Sequence, residues 1–501
     1  MRRIIIIAIA ACTPKQSPPV ANHVDHGIEV GDLDRTADPC TDFYQFTTGG
    51  WRAANPIPPA LPKWSRRAAA REANRRQLQG ILDELSHRID WPRGSAEQLV
   101  GDYYASCMDE AKADAAGATP LAPWLTEIEA ARTPSDIQHA IRHLHEIAIS
   151  VPFGVVGMMD AHAPVNFIAD IVPGGLGLPD RDDYAKAETR DHYRAHIIAM
   201  LGLAGAADPT HDADAIISLE TRLAGASLAS AAAADPAATD HVMTFAQLEK
   251  LAPHFEWRTY FDDAHLPRAD VNVAEPAYLQ QLDNELATTP LAVWKAYLEW
   301  QLLHAAAPWL SKPFVDASFA LTAAEPKPRA RRCVDSTEAL LADPLGKKYA
   351  DKYFSSEAKA KALAIARTLM TALLAELPNV TWMQADTRTR ALAKLATTRV
   401  EVGYPDHWKD YSTLAIRRDA LWTNIAAARA RGVADDRARI GKPTPRDLWQ
   451  LPPSSPDAYL EPQLNQLVLP AGYLQRPVFD ADATDAFNYG AIGIGLAHDL
   501  T

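Results

Sequence analysis

Apolar positions recur three and four residues apart through most of the chain from about Asp38 onward, as in Gln98-Leu99-Val100-Gly101-Asp102-Tyr103-Tyr104 and across 358–377. That spacing lays one apolar stripe along a 3.6-residue helix and predicts a mainly α body. Asn55-Pro56-Ile57-Pro58-Pro59, Val172-Pro173-Gly174-Gly175 and Gly403-Tyr404-Pro405-Asp406 read as loops. The pattern changes after about Pro452. Asp457-Ala458-Tyr459 and Asn465-Gln466-Leu467-Val468-Leu469 predict two short strands, the second ended by Pro470-Ala471-Gly472. A helix follows over 486–501, with glycines at 490, 493 and 495 and no C-terminal cap signal, so it is expected to be cut in mid-course. No internal repeat is present.

The N-terminus has its own pattern. Met1-Arg2-Arg3 precedes an apolar run from Ile4 to Ala11, far short of the ~20 residues that span a bilayer. Small residues then lead into Cys12, which resembles the lipobox of bacterial lipoproteins, where the cysteine is acylated. The expected organisation is a leader over 1–12, a flexible polar tether over 13–37, a helical domain over 38–408, connecting helices over 409–455, and the start of a further domain over 456–501. The expected location is a bacterial envelope, exported and held by a lipid anchor.

Composition narrows the class. An apolar share of 48% and a charged share of 23% describe a folded body with a sizeable core, neither disordered nor multi-spanning. The net charge of −13 repels phosphate backbones, so nucleic acid is not an expected partner. Four cysteines are too few for a disulfide framework.

Several segments, read in order, resemble the neprilysin-like family of zinc metallopeptidases. They are Asp38-Pro39-Cys40-Thr41-Asp42-Phe43-Tyr44 with Gly49-Gly50-Trp51, then Gly175-Leu176-Gly177-Leu178-Pro179-Asp180-Arg181-Asp182, then Leu219-Glu220-Thr221 and Thr289-Pro290-Leu291. Gly403-Tyr404-Pro405-Asp406, Pro470-Ala471-Gly472 and Asn488-Tyr489-Gly490-Ala491-Ile492-Gly493 complete the series. The resemblance implies a large helical lobe, enclosing a chamber that admits peptides, followed by the start of a thermolysin-like α+β catalytic lobe. It implies zinc as cofactor and oligopeptides as substrates.

The family motif places two His at i and i+4 on one helical face, with a Glu between them that takes a proton from zinc-bound water. Aligned on Asn488-Tyr489-Gly490, it begins here at His498 and continues Asp499-Leu500-Thr501, so the chain offers the first metal ligand only. Zinc at a catalytic site takes three protein ligands, and the chain as it stands is expected to be inactive and to hold no zinc stably. Asp499 stands where the family has Glu and is one methylene shorter. Asp457 stands where the family has Asn, before Ala458, in a strand that binds substrate backbone; an ionised Asp only accepts hydrogen bonds. Ala233-Ala234 precede Asp235-Pro236 where family members carry two arginines. By the same resemblance Cys107 and Cys333 form a disulfide, and Cys40 is unpaired, its partner belonging to a C-terminal part that is missing or separately encoded.

Two further clusters are set aside at this stage. Lys327-Pro328-Arg329-Ala330-Arg331-Arg332 reads as a solvated turn, and His139, His143 and His145 read as surface histidines without a third ligand nearby. Peptide-bond hydrolysis is the expected family activity. The alternative is a surface lipoprotein whose helical lobe binds peptides or a partner without cleaving them.

Overall fold

The computed structural model describes residues 29–58, 62–321 and 327–500. Cys12 and the expected leader lie outside the described residues.

Ser65 accepts a hydrogen bond from Ala68 N and so starts α1 (Arg66–His87), whose apolar face buries Leu78, Ile81, Leu82 and Leu85. Ser95 caps α2 (Ala96–Met108) in the same way. The two helices pack closely because Gly101 lies against the Leu85 carbonyl, where a Cβ would come within 2.6 Å of oxygen. A three-residue loop joins α3 (Ala122–Ala130) to α4 (Pro134–Glu146), which opens with a capping box between Thr133 and Asp136.

The chain then builds a sheet that apolar periodicity does not announce. β1 (Phe153–Met159) and β2 (Phe167–Pro173) pair antiparallel. β3 (Val242–Met243) and β4 (Val271–Val273) complete the order β1-β2-β4-β3, with β4 parallel to β2. The loop expected at 172–175 therefore begins as the end of a strand.

Most of the remaining structure is helical: α5 (Pro209–Ala226), α6 (Leu291–Ala306), α7 (Arg329–Leu340) and α8 (Ser356–Glu376). Trp294, Tyr297, Leu298, Trp300, Leu302 and Leu303 bury α6 on every side, the mark of a helix at the centre of a body. Cys107 on α2 and Cys333 on α7 are bonded, S–S 2.07 Å, across 226 residues of sequence. β5 (Arg399–Gly403) follows, then α9 (Leu421–Arg437), the single α-helix where connecting helices were expected.

β6 (Tyr459–Glu461) and β7 (Gln466–Pro470) are the strands expected near 457–469, with β7 in register from Gln466↔Glu461 to Val468↔Tyr459. β7 also pairs with β5 in parallel, giving the order β5-β7-β6. A strand from the helical region thus completes the later sheet, and one apolar cluster runs from Leu78 through Leu469 to Ile492 and Leu496. α10 (Asp485–Leu500) closes the described chain and packs on α8 and β6.

Two expectations are corrected. The basic cluster at 327–332 is not a solvated turn. Its arginines open α7, where Arg329 Nε donates to the Cys107 carbonyl at 2.6 Å and Arg332 donates to the Pro308 carbonyl. Bare backbone carbonyls at neighbouring helix ends attract these cations inward. His145 is not a surface histidine: it is 4% exposed, with Nδ1 2.7 Å from the Tyr260 hydroxyl and Nε2 3.0 Å from the Val151 carbonyl. On α4 it lies on the face opposite to that of its two neighbours in the cluster.

Candidate active site

Pro470-Ala471-Gly472 turns the chain against Ser454 and Ser455. A Cβ at Gly472 would stand 2.0 Å from the Ser454 carbonyl oxygen, so only glycine permits the approach, and Gly472 N donates to Pro453 O at 3.0 Å. Asn74 on α1 donates to the same Ser454 carbonyl at 3.0 Å and to Tyr349 Oη at 2.9 Å. These bonds fix residues 454–458 against α1 and bring Asp457 and Ala458 to the start of β6.

β6 is bonded on one side only, to β7, and so is an edge strand among the described residues. Its free side offers backbone N–H and C=O groups to an extended peptide. α10 lies against β6. Lys361 of α8 secures the approach to α10 by donating to the Ala481 and Ala483 carbonyls at 2.8 and 2.6 Å. The Asn488 side chain closes the turn with Asp480 through bonds of 2.8 and 3.1 Å. Tyr473 Oη faces Gly495, where a Cβ would come within 3.0 Å, one helical turn before Asp499.

Asp457 does not stand alone. Its Oδ1 accepts from Arg67 at 2.5 Å and from Arg71 at 2.6 Å, two arginines four apart on the first turns of α1. Burial pushes the Asp457 carboxyl up, and the hydrogen bonds from Arg71 and Arg67 outweigh it, so it sits below its ordinary value and stays ionised. Arg67 interacts electrostatically with Asp457 and also with Tyr473 and Asp499. Burial raises Asp499, against the favourable charges of His498 and Arg67. The structure therefore groups Asp457, Tyr473 and Asp499 around Arg67, between the edge of β6 and α10.

Behind Asp457 a cavity of about 260 Å³ is lined by Arg71, Asn74, Arg75, Asp335 and Glu338. A second, of about 880 Å³, lies beyond Glu338 and is lined by Asp343, Tyr411, Arg431 and Trp449 among others. Glu338 accepts from Ser454 Oγ at 2.6 Å, and burial raises its carboxyl.

His498 occupies the last turn of α10 beside Asp499. Among the described residues no group of three metal-ligand side chains includes it. Cys40 is a free, exposed thiol among the described residues. Asp235, after Ala233 and Ala234, caps a short turn by accepting from Ala237 N at 3.0 Å. Sequence reasoning missed Arg67 and Arg71. Their spacing of four after a Ser cap was the available signal, but the partner lies 390 and 386 residues away.

A family profile for the N-terminal part of peptidase family M13 matches residues 39–405, and a second profile of peptidase family M13 matches 457–501. The chain belongs to peptidase family M13. It is 28% identical to endothelin-converting enzyme-like 1 of Mus musculus, an alignment that covers 94% of this chain and 64% of that relative. The chain thus spans less than two thirds of that protein. Among solved structures, Mycobacterium tuberculosis zinc metalloprotease ZMP1 in complex with an inhibitor aligns with a TM-score of 0.84 at 30% identity, over 95% of this chain and 74% of that one. PepO from Lactobacillus rhamnosis HN001 shares the fold, with a TM-score of 0.81 at 24% identity over 93% and 76%.

Proposed function

We propose that this chain carries the peptide-binding part of a zinc-dependent endopeptidase that acts on oligopeptides. The observation that supports the reading is the gathering of Asp457, Tyr473 and Asp499 about Arg67, where β6 and α10 pack together. In this reading β6 takes the substrate backbone as an added strand. Ala458 leaves room for it, Arg67 and Arg71 present positive charge at its entry, and Asp499, whose carboxyl burial raises, is the candidate proton acceptor.

Zinc is tested against the residues present. His498 is one ligand, and a catalytic zinc takes three. The described residues around His498 do not meet that requirement, so no chemical step is routed through the metal. Peptide binding is expected of the 501 residues, and cleavage requires two further ligands.

The reading extends to export. The Cys107–Cys333 bond belongs in an oxidising compartment, and Cys12 is the proposed lipid attachment site. No described helix is long and apolar enough to cross a membrane.

The test is fluorescence anisotropy of a labelled, uncharged octapeptide titrated with the chain, beside a quenched-peptide cleavage assay with and without chelator. Saturable binding that is lost in Ala458→Trp, without chelator-sensitive cleavage, is the expected result. Absence of binding rejects the β6 edge as a peptide site. Chelator-sensitive cleavage rejects the conclusion that the zinc site is incomplete. Incorporation of labelled palmitate into wild type but not Cys12→Ser tests the anchor.

A further inference from the structure

α3 and α4 form a helical hairpin seated on α6 and α9. α4 turns His139 and His143, one helical turn apart, toward Glu127 of α3. His143 Nδ1 lies 2.7 Å from Glu127 Oε2, and His139 Nε2 lies 3.4 Å from Glu127 Oε1. The two imidazole centroids are 4.3 Å apart. A ligand atom from each of the three residues falls within 4.8 Å of the other two. This is the third donor that the sequence alone does not reveal, supplied by the packing of one helix on the next.

One oxygen of the cluster is unexplained by protein contacts. Glu127 Oε1 is buried and makes no hydrogen bond, the His139 contact at 3.4 Å lacking the geometry of one. A desolvated carboxylate oxygen without a donor costs free energy, and native structures seldom leave one so.

We propose that Glu127, His139 and His143 form a zinc site, separate from His498, that pins α3 to α4. Two imidazole nitrogens and one carboxylate oxygen are a donor set zinc takes, with water in the fourth position. The i, i+4 spacing places both rings on one face of the helix. Two ligands of a tetrahedral zinc, each at ~2.1 Å, stand roughly 3.4 Å apart, which is the His139–Glu127 separation already present. His143 lies in the last turn of α4, where the negative end of the helix favours a cation. Calcium and magnesium prefer all-oxygen shells and do not match. Arg142 touches His139 on its Nδ1 side, away from the carboxylate, and pairs with Asp263 at 2.6 Å.

The experiment is equilibrium dialysis of chelator-stripped protein against zinc chloride, with the metal counted per chain and a thermal melt recorded with and without zinc. Wild type and His498→Gln are each expected to take up one equivalent and to melt higher with zinc. The double variant His139→Gln/His143→Gln should bind at least tenfold more weakly and show no zinc-dependent melt. Glu127→Gln provides the same comparison with both histidines kept, and decides the matter if the double variant melts lower than wild type without metal. Uptake by the histidine and glutamate variants equal to wild type, or uptake abolished by His498→Gln alone, overturns the proposal.

Discussion

Arg67 and Asp457, 390 residues apart in sequence, meet at 2.5 Å and tie the first turn of α1 to the strand edge at which a peptide would dock. Arg71 shares the same carboxylate oxygen at 2.6 Å. The Asp457 carboxylate is thus matched by two cations and forms part of a charge set. Because Asp457 occupies Arg67, it also moderates the field that Arg67 exerts on Asp499.

Asp457→Asn leaves both arginines without their carboxylate. The Arg67 and Arg71 side chains are 65% and 47% exposed, so solvent screening limits the loss of stability to about 0.2–1 kcal/mol per pair. The urea midpoint should fall slightly at low salt, and the difference should shrink at 1 M salt as the Debye length contracts. The clearer effect is on Asp499: with Arg67 released, its carboxyl should titrate at lower pH, read by NMR. An unchanged Asp499 titration rejects the coupling through Arg67.

Removal of the Cys107–Cys333 bond frees a loop of 226 residues. Both sulfurs sit in the core, with Cys107 1% and Cys333 0% exposed. Cys107→Ser/Cys333→Ser should lose several kcal/mol of unfolding free energy, at most about 5 by the chain-entropy model. Chemical denaturation with and without reductant checks it, and reductant should affect wild type alone.

The helical body and the helix bearing His498 and Asp499 are legible from apolar spacing because each helix satisfies its own backbone and shows its buried face within a few turns. The two strands near 457–469 are legible for the same local reason. β3 and β4, of two and three residues, are too short for any alternation to emerge, and they exist because β2 offers them partners. β5 is recruited by β7 across more than sixty residues, and parallel pairing leaves no mark in the sequence. The same limit hides the candidate site's charges. Arg67 reads as one surface arginine among several, Glu127 as one acid on a short helix, and only tertiary packing gives each its partner. His145 shows the converse error: its face on α4, not its neighbours in sequence, decides that it is buried.

Glu220 on α5 is fully buried beneath the Gly175–Asp182 loop, accepting from Tyr184 Oη at 2.7 Å, Tyr193 Oη at 2.9 Å and Gln301 Nε2 at 3.0 Å. Burial raises its carboxyl from 4.5 to about 7, against the lowering effect of the tyrosine hydroxyls. The folded state therefore holds a proton that the unfolded state has released between those values. Its contribution is complete below pH 4.5 and is lost as pH rises through about 7, a change on the order of 3 kcal/mol. Glu220→Gln should remove that slope, so its melting temperature should fall less than that of wild type between pH 5 and pH 7.5. Parallel curves for the two proteins reject the assignment.

His145 works in the opposite sense. Full burial lowers its imidazole from 6.5 to about 3, with the Val151 carbonyl opposing that shift and the Arg437 charge adding to it. The neutral ring donates from Nε2 to Val151 O and accepts from Tyr260 Oη at Nδ1, and it packs edge-on to Phe153 at 4.9 Å. Unfolding lets the ring take up a proton, so its contribution is present above pH 6.5 and is lost as pH falls toward 3. His145→Asn keeps one donor and one acceptor but not the ring contacts. It should cost about 1–3 kcal/mol at pH 7.5, and the deficit should narrow as pH falls to 5, because the variant has no buried imidazole to charge. Between pH 4.5 and 6.5 the slopes of Glu220 and His145 oppose one another, so wild type should be flattest there and each single variant should tilt the curve, Glu220→Gln toward high pH and His145→Asn toward low. Thermal melts across that window check both at once, and a tilt in the same direction for the two variants rejects this account of the core.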